Sequence, residues 1–211
     1  MHNKRKIYYA GGVDRLGISW HYLIHRLGAT SNQGHGSDIA CHDGRISADD
    51  LQDNHDIMTD GLDLSIRYSV PEIYPLGEEI NALGVTWREI AEAINLATSN
   101  PYYAVRDEII LAVGTLASGL WSTQLHGSLN TEKYKRCAWN DLVPEYMSGG
   151  YHFEKYTDHA IMGDDNISVV VRSVSKYFNG VTFANWCKEY GIEVTSASKN
   201  GEPLPVEDLV S

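Results

Sequence analysis

The feature that most constrains this chain is a pair of adjacent aspartates between two short apolar segments. The segment Gly163-Asp164-Asp165-Asn166 follows residues 159–162 and precedes residues 167–171. Glycine- and aspartate-rich turns between apolar runs are typical of β-hairpins. Two adjacent carboxylates in a tight turn repel each other unless a cation offsets their charge. The segment therefore predicts a hairpin whose turn binds a divalent cation, although such a turn taken alone is more often solvated surface.

A second group of carboxylates lies near the start of the chain. Asp38 begins a short strand-like segment, and Asp43 stands at its end, directly before Gly44. Magnesium prefers oxygen ligands and needs only a few carboxylates besides substrate phosphates. If Asp38 lies beside the Asp164 turn in one sheet, two strands bring carboxylates to one point. That is the arrangement required for two-ion phosphoryl transfer.

Two further features stand at the ends of predicted elements. Ser118-Gly119 forms a small-residue loop before a helix that carries Thr123, and Lys199 follows the last predicted strand. Each also has an ordinary structural interpretation, since small residues serve as turns and caps before helices. Only the order and spacing of these features, taken together with the carboxylates, favour a catalytic site.

Hydrophobic periodicity and capping patterns predict the elements. Helices are predicted over 17–27, 47–66, 86–97, 122–142 and 182–190, with strands over 38–43, 102–105, 108–113, 159–162, 167–171 and 192–195. Ser19 is a candidate cap, and capping boxes are predicted at Ser47 and Thr86. Residues 28–37 and 70–85 read as loops, and 199–211 as an extended tail. This order predicts an α+β fold, an antiparallel sheet with helices packed on one face in a split βαβ arrangement.

Four motifs in series carry a family resemblance. They are Asp-x₄-Asp-Gly-x-Ile-Ser from residue 38, Leu-Ala-Ser-Gly-x₃-Thr from residue 116, Gly-Asp-Asp-Asn from residue 163, and Tyr-Gly-Ile-x-Val-Thr-x₃-Lys from residue 190. This series resembles motifs A, B, C and D of viral RNA-dependent RNA polymerases, in particular the picornavirus-like group that includes dicistroviruses. The resemblance covers about residues 7 to 211. It implies a polymerase palm with an RRM-like core, together with part of the fingers.

The resemblance implies roles for the acidic residues. Asp38 and Asp164 would bind two Mg²⁺ or Mn²⁺ ions, Asp165 would support them, and Asp43 would help to select the ribose hydroxyl. Lys199 matches the motif-D lysine, the general acid for the leaving pyrophosphate. A positioned acid contributes roughly 10² to 10⁴ in rate.

Motif B supplies the remaining implied contacts. Ser118 and Gly119 match the mobile loop beside the incoming nucleotide and template, and Thr123 matches the threonine near the ribose. The family's asparagine at the next helical turn is replaced by Gly127, with Asn130 one turn further along. Asn130 is therefore the candidate substitute for the ribose contact.

Substrates and partners follow from the same resemblance. It implies RNA template and primer, NTPs and other viral replication proteins, in the host cell cytoplasm within replication complexes. No apolar run approaches the roughly 18 residues of a membrane span. The three widely spaced cysteines fit an intracellular protein.

A net charge of −11 contrasts with the basic surfaces of proteins that hold nucleic acid. In the family, the basic fingers motif precedes the matched region, and motif E and the thumb follow it. We therefore expect residues 1–211 to be a partial polymerase domain that does not polymerise RNA by itself.

Two alternatives stay open at this stage. Another palm-type enzyme, such as a reverse transcriptase or a nucleotide cyclase, would share the paired carboxylates. A catalytically dead relic, or a binding module derived from a polymerase, would share the motifs without the activity. Binding of divalent ions at Asp38 and Asp164 distinguishes an active site from a relic.

Overall fold

The protein is described here from a computed structural model that covers residues 10, 17–71, 73–117, 119, 122–196 and 207–208. The chain forms two compact units. The first unit comprises Met1–His42 and Thr123–Ser211, and the second unit comprises Asp43–Ser122. The second unit is thus inserted in the sequence of the first. The predicted partial polymerase domain, with part of the fingers, stays a prediction.

The elements are numbered in chain order. The helices are α1 (Ile18–Thr30), α2 (His42–Arg45), α3 (Ala48–Thr59), α4 (Gly77–Leu83), α5 (Trp87–Ser99), α6 (Thr123–Leu142), α7 (Gly150–Tyr156) and α8 (Gly180–Glu189), with a 3₁₀ turn at Glu145–Met147. The strands are β1 (Gln33–Ile39), β2 (Tyr102–Val105), β3 (Glu108–Leu111), β4 (Thr157–Met162), β5 (Asp165–Val170), β6 (Val194–Ser196) and β7 (Glu207–Asp208). Over the described residues, no helix is long and apolar enough to cross a membrane.

An antiparallel sheet forms the centre of the first unit. Its strand order is β4-β5-β1-β6, and β7 pairs with the start of β1. The register pairs His35 with Ser168 and Ser37 with Asn166 between β1 and β5, and Asp38 with Thr195 between β1 and β6. The predicted antiparallel sheet with packed helices, in an α+β fold, is therefore confirmed.

Successive residues of a strand point to opposite faces of the sheet, so the register divides the side chains into two sets. One face carries Ile39, Ile161 and Val170, which pack against α6, α7 and α8 in the main apolar core. Trp139 and Phe153 are fully buried there, with ring centroids 5.7 Å apart. Removing either ring would cost about 3–5 kcal/mol.

The opposite face of the sheet carries a smaller apolar cluster. Leu27 of α1 packs with Ala160 and Val169. Arg26 of α1 donates to the carbonyl oxygen of His159 and lies 3.4 Å from the Asp158 carboxylate. Helices therefore cover parts of both faces, with α1 on the side opposite α6 and α8.

The second unit has a small core and an exposed hairpin. Ile46, Leu51 and Leu116 are buried together. The predicted capping boxes at the starts of α3 and α5 are both present. Strands β2 and β3 form the predicted hairpin, and every residue in them is exposed.

Several predicted boundaries were wrong for identifiable reasons. Residues 28–37 were predicted as loop, but β1 begins at Gln33, because the ladders with β5 and β6 override the turn preference of its glycines. The predicted loop 70–85 contains α4. The residue before this helix, Leu76, has a left-handed backbone conformation with a φ of 64°. Helix α1 begins after Gly17 without a side-chain cap, so Ser19 is not its cap. Helix α3 ends at Thr59 rather than 66, and α7 was not predicted.

Candidate active site

The paired aspartates lie at a tight turn between β4 and β5. Met162 and Asp165 form the last pair of the ladder, so Gly163 and Asp164 are the two loop residues. Gly163 has a φ of 69°. A two-residue hairpin with glycine in this conformation at its first position fits the type II′ turn, which few other residues tolerate there. The turn thus projects Asp164 from the end of the sheet and leaves Asp165 at the start of β5.

Asn166 ties this turn to β1. Its amide nitrogen donates to the carbonyl oxygen of Ser37 and to that of Asp164, both at 3.0 Å. Its amide oxygen accepts from the Ser37 hydroxyl at 2.9 Å. Asp38 follows Ser37 directly, so the same contacts that fix the turn also place β1 beside it. The proximity of Asp38 and the turn is therefore built from backbone register and one asparagine side chain.

The pKa of Asp164 reflects the proximity of Asp38 to the turn. The pKa of Asp164 is raised, chiefly because partial burial disfavours the charged carboxylate. The carboxylates of Asp38 and Asp165 raise the pKa further, whereas a hydrogen bond to the backbone and the neighbouring His42 lower it. Asp38 itself is buried, with 7% of its surface exposed. The structure thus brings Asp38, Asp164 and Asp165 together, as the sequence predicted.

The chemistry of these side chains fits a hard divalent cation. The carboxylates of Asp38 and Asp165 act electrostatically on that of Asp164 at one end of the sheet, and a cation would offset this repulsion. Within the described ranges, no three Asp, Glu, His or Cys side chains are arranged as a ready-made metal site. Magnesium usually completes its coordination with water and substrate phosphates around one or two carboxylates. The site thus fits ions that bind together with a nucleotide better than a closed protein cage.

Helix α6 also holds the turn, through hydrogen bonds from its side chains to the backbone of Gly163. The Ser128 hydroxyl accepts from the Gly163 N–H at 2.8 Å, and the Thr131 hydroxyl donates to the Gly163 carbonyl oxygen at 2.7 Å. His42 lies against both the helix and the turn, with its Nε2 atom 2.9 Å from the Gly127 carbonyl oxygen. None of these contacts was predicted from the sequence. The only sequence signal was the spacing of Ser128 and Thr131, which puts two hydroxyls on one helical face.

The other residues implied by motif B have different surroundings. Thr123 is the first residue of α6 and is half-buried. Asn130 has no exposed surface, so in this arrangement its amide cannot contact a nucleotide directly. The substrate role of Asn130 stays a prediction.

The remaining predicted site residues are placed as follows. Asp43 lies in the first turn of α2 and belongs to the second unit, where it is half-buried. Gly119 is exposed with a φ of 95°, a conformation that suits glycine. Ser118 and Lys199 lie outside the described residues. The roles implied for these four residues stay predictions.

Comparisons with known proteins identify the family and the fold. The family model described as viral RNA-dependent RNA polymerase matches residues 1–210. No curated protein matches the chain significantly. Among solved structures, the Sicinivirus 3Dpol RNA-dependent RNA polymerase is similar in fold, with a TM-score of 0.58 at 13% identity over 92% of this chain. The aligned part is 34% of that polymerase, so the chain spans about a third of its length. The extent of the family match shows that this chain belongs to the viral RNA-dependent RNA polymerases.

Proposed function

We propose that this chain carries the palm active site of a polymerase that joins NTPs on an RNA template during replication of a viral RNA genome. The observation that carries the proposal is the meeting of Asp38 and Asp164. Two strands that are distant in sequence bring these carboxylates into electrostatic contact at one end of the sheet. Family membership supplies the class of reaction, and this juxtaposition supplies the place where the reaction would occur.

The three carboxylates would bind the metal ions. Asp38 and Asp164 would each hold a Mg²⁺ or Mn²⁺ ion, and Asp165 would support the second. When bound, such ions supply charge that activates the attacking hydroxyl and stabilises the leaving phosphates. The half-buried position of Asp164 strengthens its interaction with a cation, because charges interact more strongly where water is partly excluded.

Other residues would position the nucleotide and transfer protons. Asp43 would recognise the ribose hydroxyl, Ser118 and Gly119 would border the incoming base, and Thr123 would lie near the ribose. Lys199 would protonate the leaving pyrophosphate as the general acid. Because Gly127 replaces the family's asparagine, the hydrogen bond that would orient Asp43 must come from elsewhere.

Partners and location are part of the same proposal. The polymerase would bind RNA template, primer and NTPs, and would act with other viral replication proteins in the cytoplasm of the host cell. The chain spans about a third of the related polymerase, and its net charge is −11. We therefore expect the chain alone to bind divalent ions without extending a primer, because a basic surface dominates affinity for RNA.

Titration of the chain with Mn²⁺, followed by electron paramagnetic resonance, tests the ion site. Asp38→Asn and Asp164→Asn each remove one carboxylate and should weaken Mn²⁺ binding at least about tenfold, since even outer-shell changes often cost that much. Asp107→Asn is the matched control, because Asp107 is an exposed carboxylate in the β2–β3 turn. Absence of binding at millimolar Mn²⁺ would instead favour the inactive relic.

A further inference from the structure

Both backbone polar groups of Gly163 are bound by side chains of helix α6. Ser128 accepts from its N–H, and Thr131 donates to its carbonyl oxygen, with distances of 2.8 and 2.7 Å. The two hydroxyls stand three residues apart and so lie on the same helical face. The N–H and C=O of one residue belong to two successive peptide planes. The helix therefore fixes the planes on both sides of Gly163.

These two planes determine where Asp164 points. The carbonyl bound by Thr131 belongs to the peptide that leads directly into Asp164. Since each peptide is planar, holding that carbonyl restricts the direction in which the Asp164 side chain leaves the backbone. Asn166 holds the carbonyl on the other side of Asp164 at 3.0 Å. The Asp164 backbone is thus held before and after its Cα atom.

The close approach of the helix to the turn depends on Gly127. A Cβ atom at position 127 would lie 3.2 Å from the Cα atom of Gly163 and 3.3 Å from the His42 ring. A larger residue would therefore push the helix away from the turn and lengthen both hydroxyl contacts. This accounts physically for the glycine at a position where the family has asparagine.

His42 fills the remaining space beside the same contacts. Its Nε2 atom lies 2.9 Å from the Gly127 carbonyl oxygen, which can only accept, so Nε2 carries the proton and donates. The same atom lies 3.4 Å from the Thr131 hydroxyl oxygen. That hydroxyl already donates its hydrogen to Gly163, so the one Nε2 hydrogen is shared between the nearer Gly127 carbonyl oxygen and the Thr131 hydroxyl oxygen. His42 therefore lies against α6 between Gly127 and Thr131.

We propose that Ser128 and Thr131 are positioning residues for the carboxylate of Asp164, and that Gly127 and His42 make their contact with the turn possible. An ordinary packing role would explain Ser128, whose hydroxyl also donates to the Gln124 carbonyl oxygen of its own helix. A packing role does not explain Thr131, because its hydroxyl donates to the Gly163 carbonyl oxygen in the turn and not to its own helix. The inference rests on the proposed ion site, and it requires ion affinity to depend on these hydroxyls.

The first experiment compares hydroxyl removal at two places in the full chain. Thr131→Val keeps the shape of the side chain and removes the donor, and we expect Mn²⁺ affinity to fall about tenfold, as for other supporting partners of metal ligands. Thr131→Ser restores the hydroxyl and should restore affinity. Thr157→Val is the matched control, since the buried Thr157 hydroxyl donates to the Phe153 carbonyl oxygen at 2.7 Å in the same unit. Unfolding in urea measures stability in parallel.

A stability loss alone would not support the proposal. Thr157→Val should destabilise the chain without changing Mn²⁺ affinity, whereas Thr131→Val should change affinity beyond any loss of stability. If Thr131→Val binds Mn²⁺ as tightly as the unmodified chain, the positioning role is overturned. Ser128→Ala is a smaller change that provides the same comparison if Thr131→Val does not fold.

A second experiment needs no ion and separates failure of this inference from failure of the proposed function. Amide hydrogen exchange reports whether the Gly163 N–H is protected by the Ser128 hydroxyl. Ser128→Ala should accelerate exchange at Gly163 at least about tenfold while amides in the middle of β4 keep their rates, because breaking one bond opens the turn locally. Unchanged exchange at Gly163 would refute the contact itself. Faster exchange in a chain that binds no Mn²⁺ would uphold the contact and refute the ion site.

Discussion

Two groups of titratable side chains lie at one sheet, and they differ in how a charge on them would be accommodated. The acidic group, Asp38, Asp164 and Asp165, meets at the strand ends, where Asp164 is half-buried and Asp165 exposed. The basic group, centred on Lys135 and His35, is sealed between the sheet and α6. Charge at the open end of the sheet can be offset by ions from solution. Charge inside the core has to be offset by the protein.

The protein accommodates Lys135 with a directed chain of hydrogen bonds. The ammonium group donates to the Ser168 hydroxyl at 2.6 Å, which leaves the Ser168 hydrogen to donate to Nδ1 of His159 at 2.9 Å. Nε2 of His159 then donates to the Thr157 hydroxyl at 3.0 Å, and Thr157 donates to the Phe153 carbonyl oxygen. Lys135 also lies 4.6 Å from the centre of the Phe183 ring. One hydrogen of the ammonium group, both hydroxyl hydrogens and the ring N–H of His159 therefore each have an acceptor in this chain.

His35 has no such partner. Its side chain lies beside Ser168 in the sheet register, and neither ring nitrogen has a hydrogen-bond partner among the described residues. Burial and the nearby Lys135 lower the pKa of His35 from 6.5 to about 3. Charge in the acidic group should therefore govern ion binding, whereas protonation in the basic group should govern stability.

The largest expected effect is on the basic group. Burial lowers the pKa of Lys135 from 10.5 to about 8. The unfolded chain therefore holds this proton more tightly than the folded chain, so the penalty is fully present below pH 8 and disappears as the pH rises to 10.5. Lys135→Met, which keeps the volume and removes the charge, should gain stability at pH 7 relative to the unmodified chain. That gain should shrink by about 3 kcal/mol between pH 7 and pH 10.5.

Urea unfolding of both proteins at several pH values measures this difference. Comparing the two proteins cancels the titration of the shared groups that do not interact with Lys135. A stability difference that does not change with pH would mean that Lys135 is not a buried cation. Mn²⁺ affinity at pH 7 should be equal in the two proteins, and a large change in it would break the separation between the groups.

His35 provides the next largest effect, in the acid range. Its folded pKa lies below its unfolded value, so the unfolded chain binds the proton first and the folded chain loses stability as the pH falls below 6.5. His35→Leu removes this titration. Its stability relative to the unmodified chain should rise by about 2 kcal/mol between pH 7 and pH 5. Equal pH profiles in this range would contradict the buried neutral histidine.

The position of the acidic group was predicted from the sequence, whereas the burial of the basic group was not, and the difference has a physical reason. Paired aspartates between apolar runs indicate a turn, and turns lie at strand ends, so Asp164 could be placed from local pattern alone. Lys135 and His35 appear as ordinary polar residues on a helix and in a glycine-rich segment. Their burial depends on the register of β1 against β5, which is set by contacts far apart in sequence.

The same distinction applies to the fold. The hairpins and the capping boxes depend on neighbouring residues and were predicted. The start of β1, and the contacts of Ser128 and Thr131 with Gly163, depend on tertiary pairing and were not. Gly127 departs from the family pattern in the sequence, but the physical reason, the close approach of this residue to Gly163, depends on tertiary packing.

The acidic group should show a smaller effect on stability, and only when ions are present. Mg²⁺ that binds the folded chain alone should stabilise it by about 1.4 kcal/mol at ten times its dissociation constant. Asp38→Asn, with at least about tenfold weaker binding, should reduce this gain to about 0.4 kcal/mol or less, measured as the shift in the urea midpoint on adding Mg²⁺. His35→Leu should retain it. An equal gain in Asp38→Asn would show that Mg²⁺ binds elsewhere on the chain.

The smallest effect is the pH dependence of ion binding. Burial first, and then the carboxylates of Asp38 and Asp165, raise the pKa of Asp164. A proton therefore competes with the ion at a higher pH than it would at an ordinary aspartate, so Mn²⁺ affinity should begin to fall at a correspondingly higher pH during acidification. Asp165→Asn removes one of the like charges and should move this decline to lower pH, whereas His35→Leu should leave it in place. If His35→Leu moved the decline instead, the two groups would be coupled through the sheet, and the division between ion binding at its open end and stability in its core would not hold.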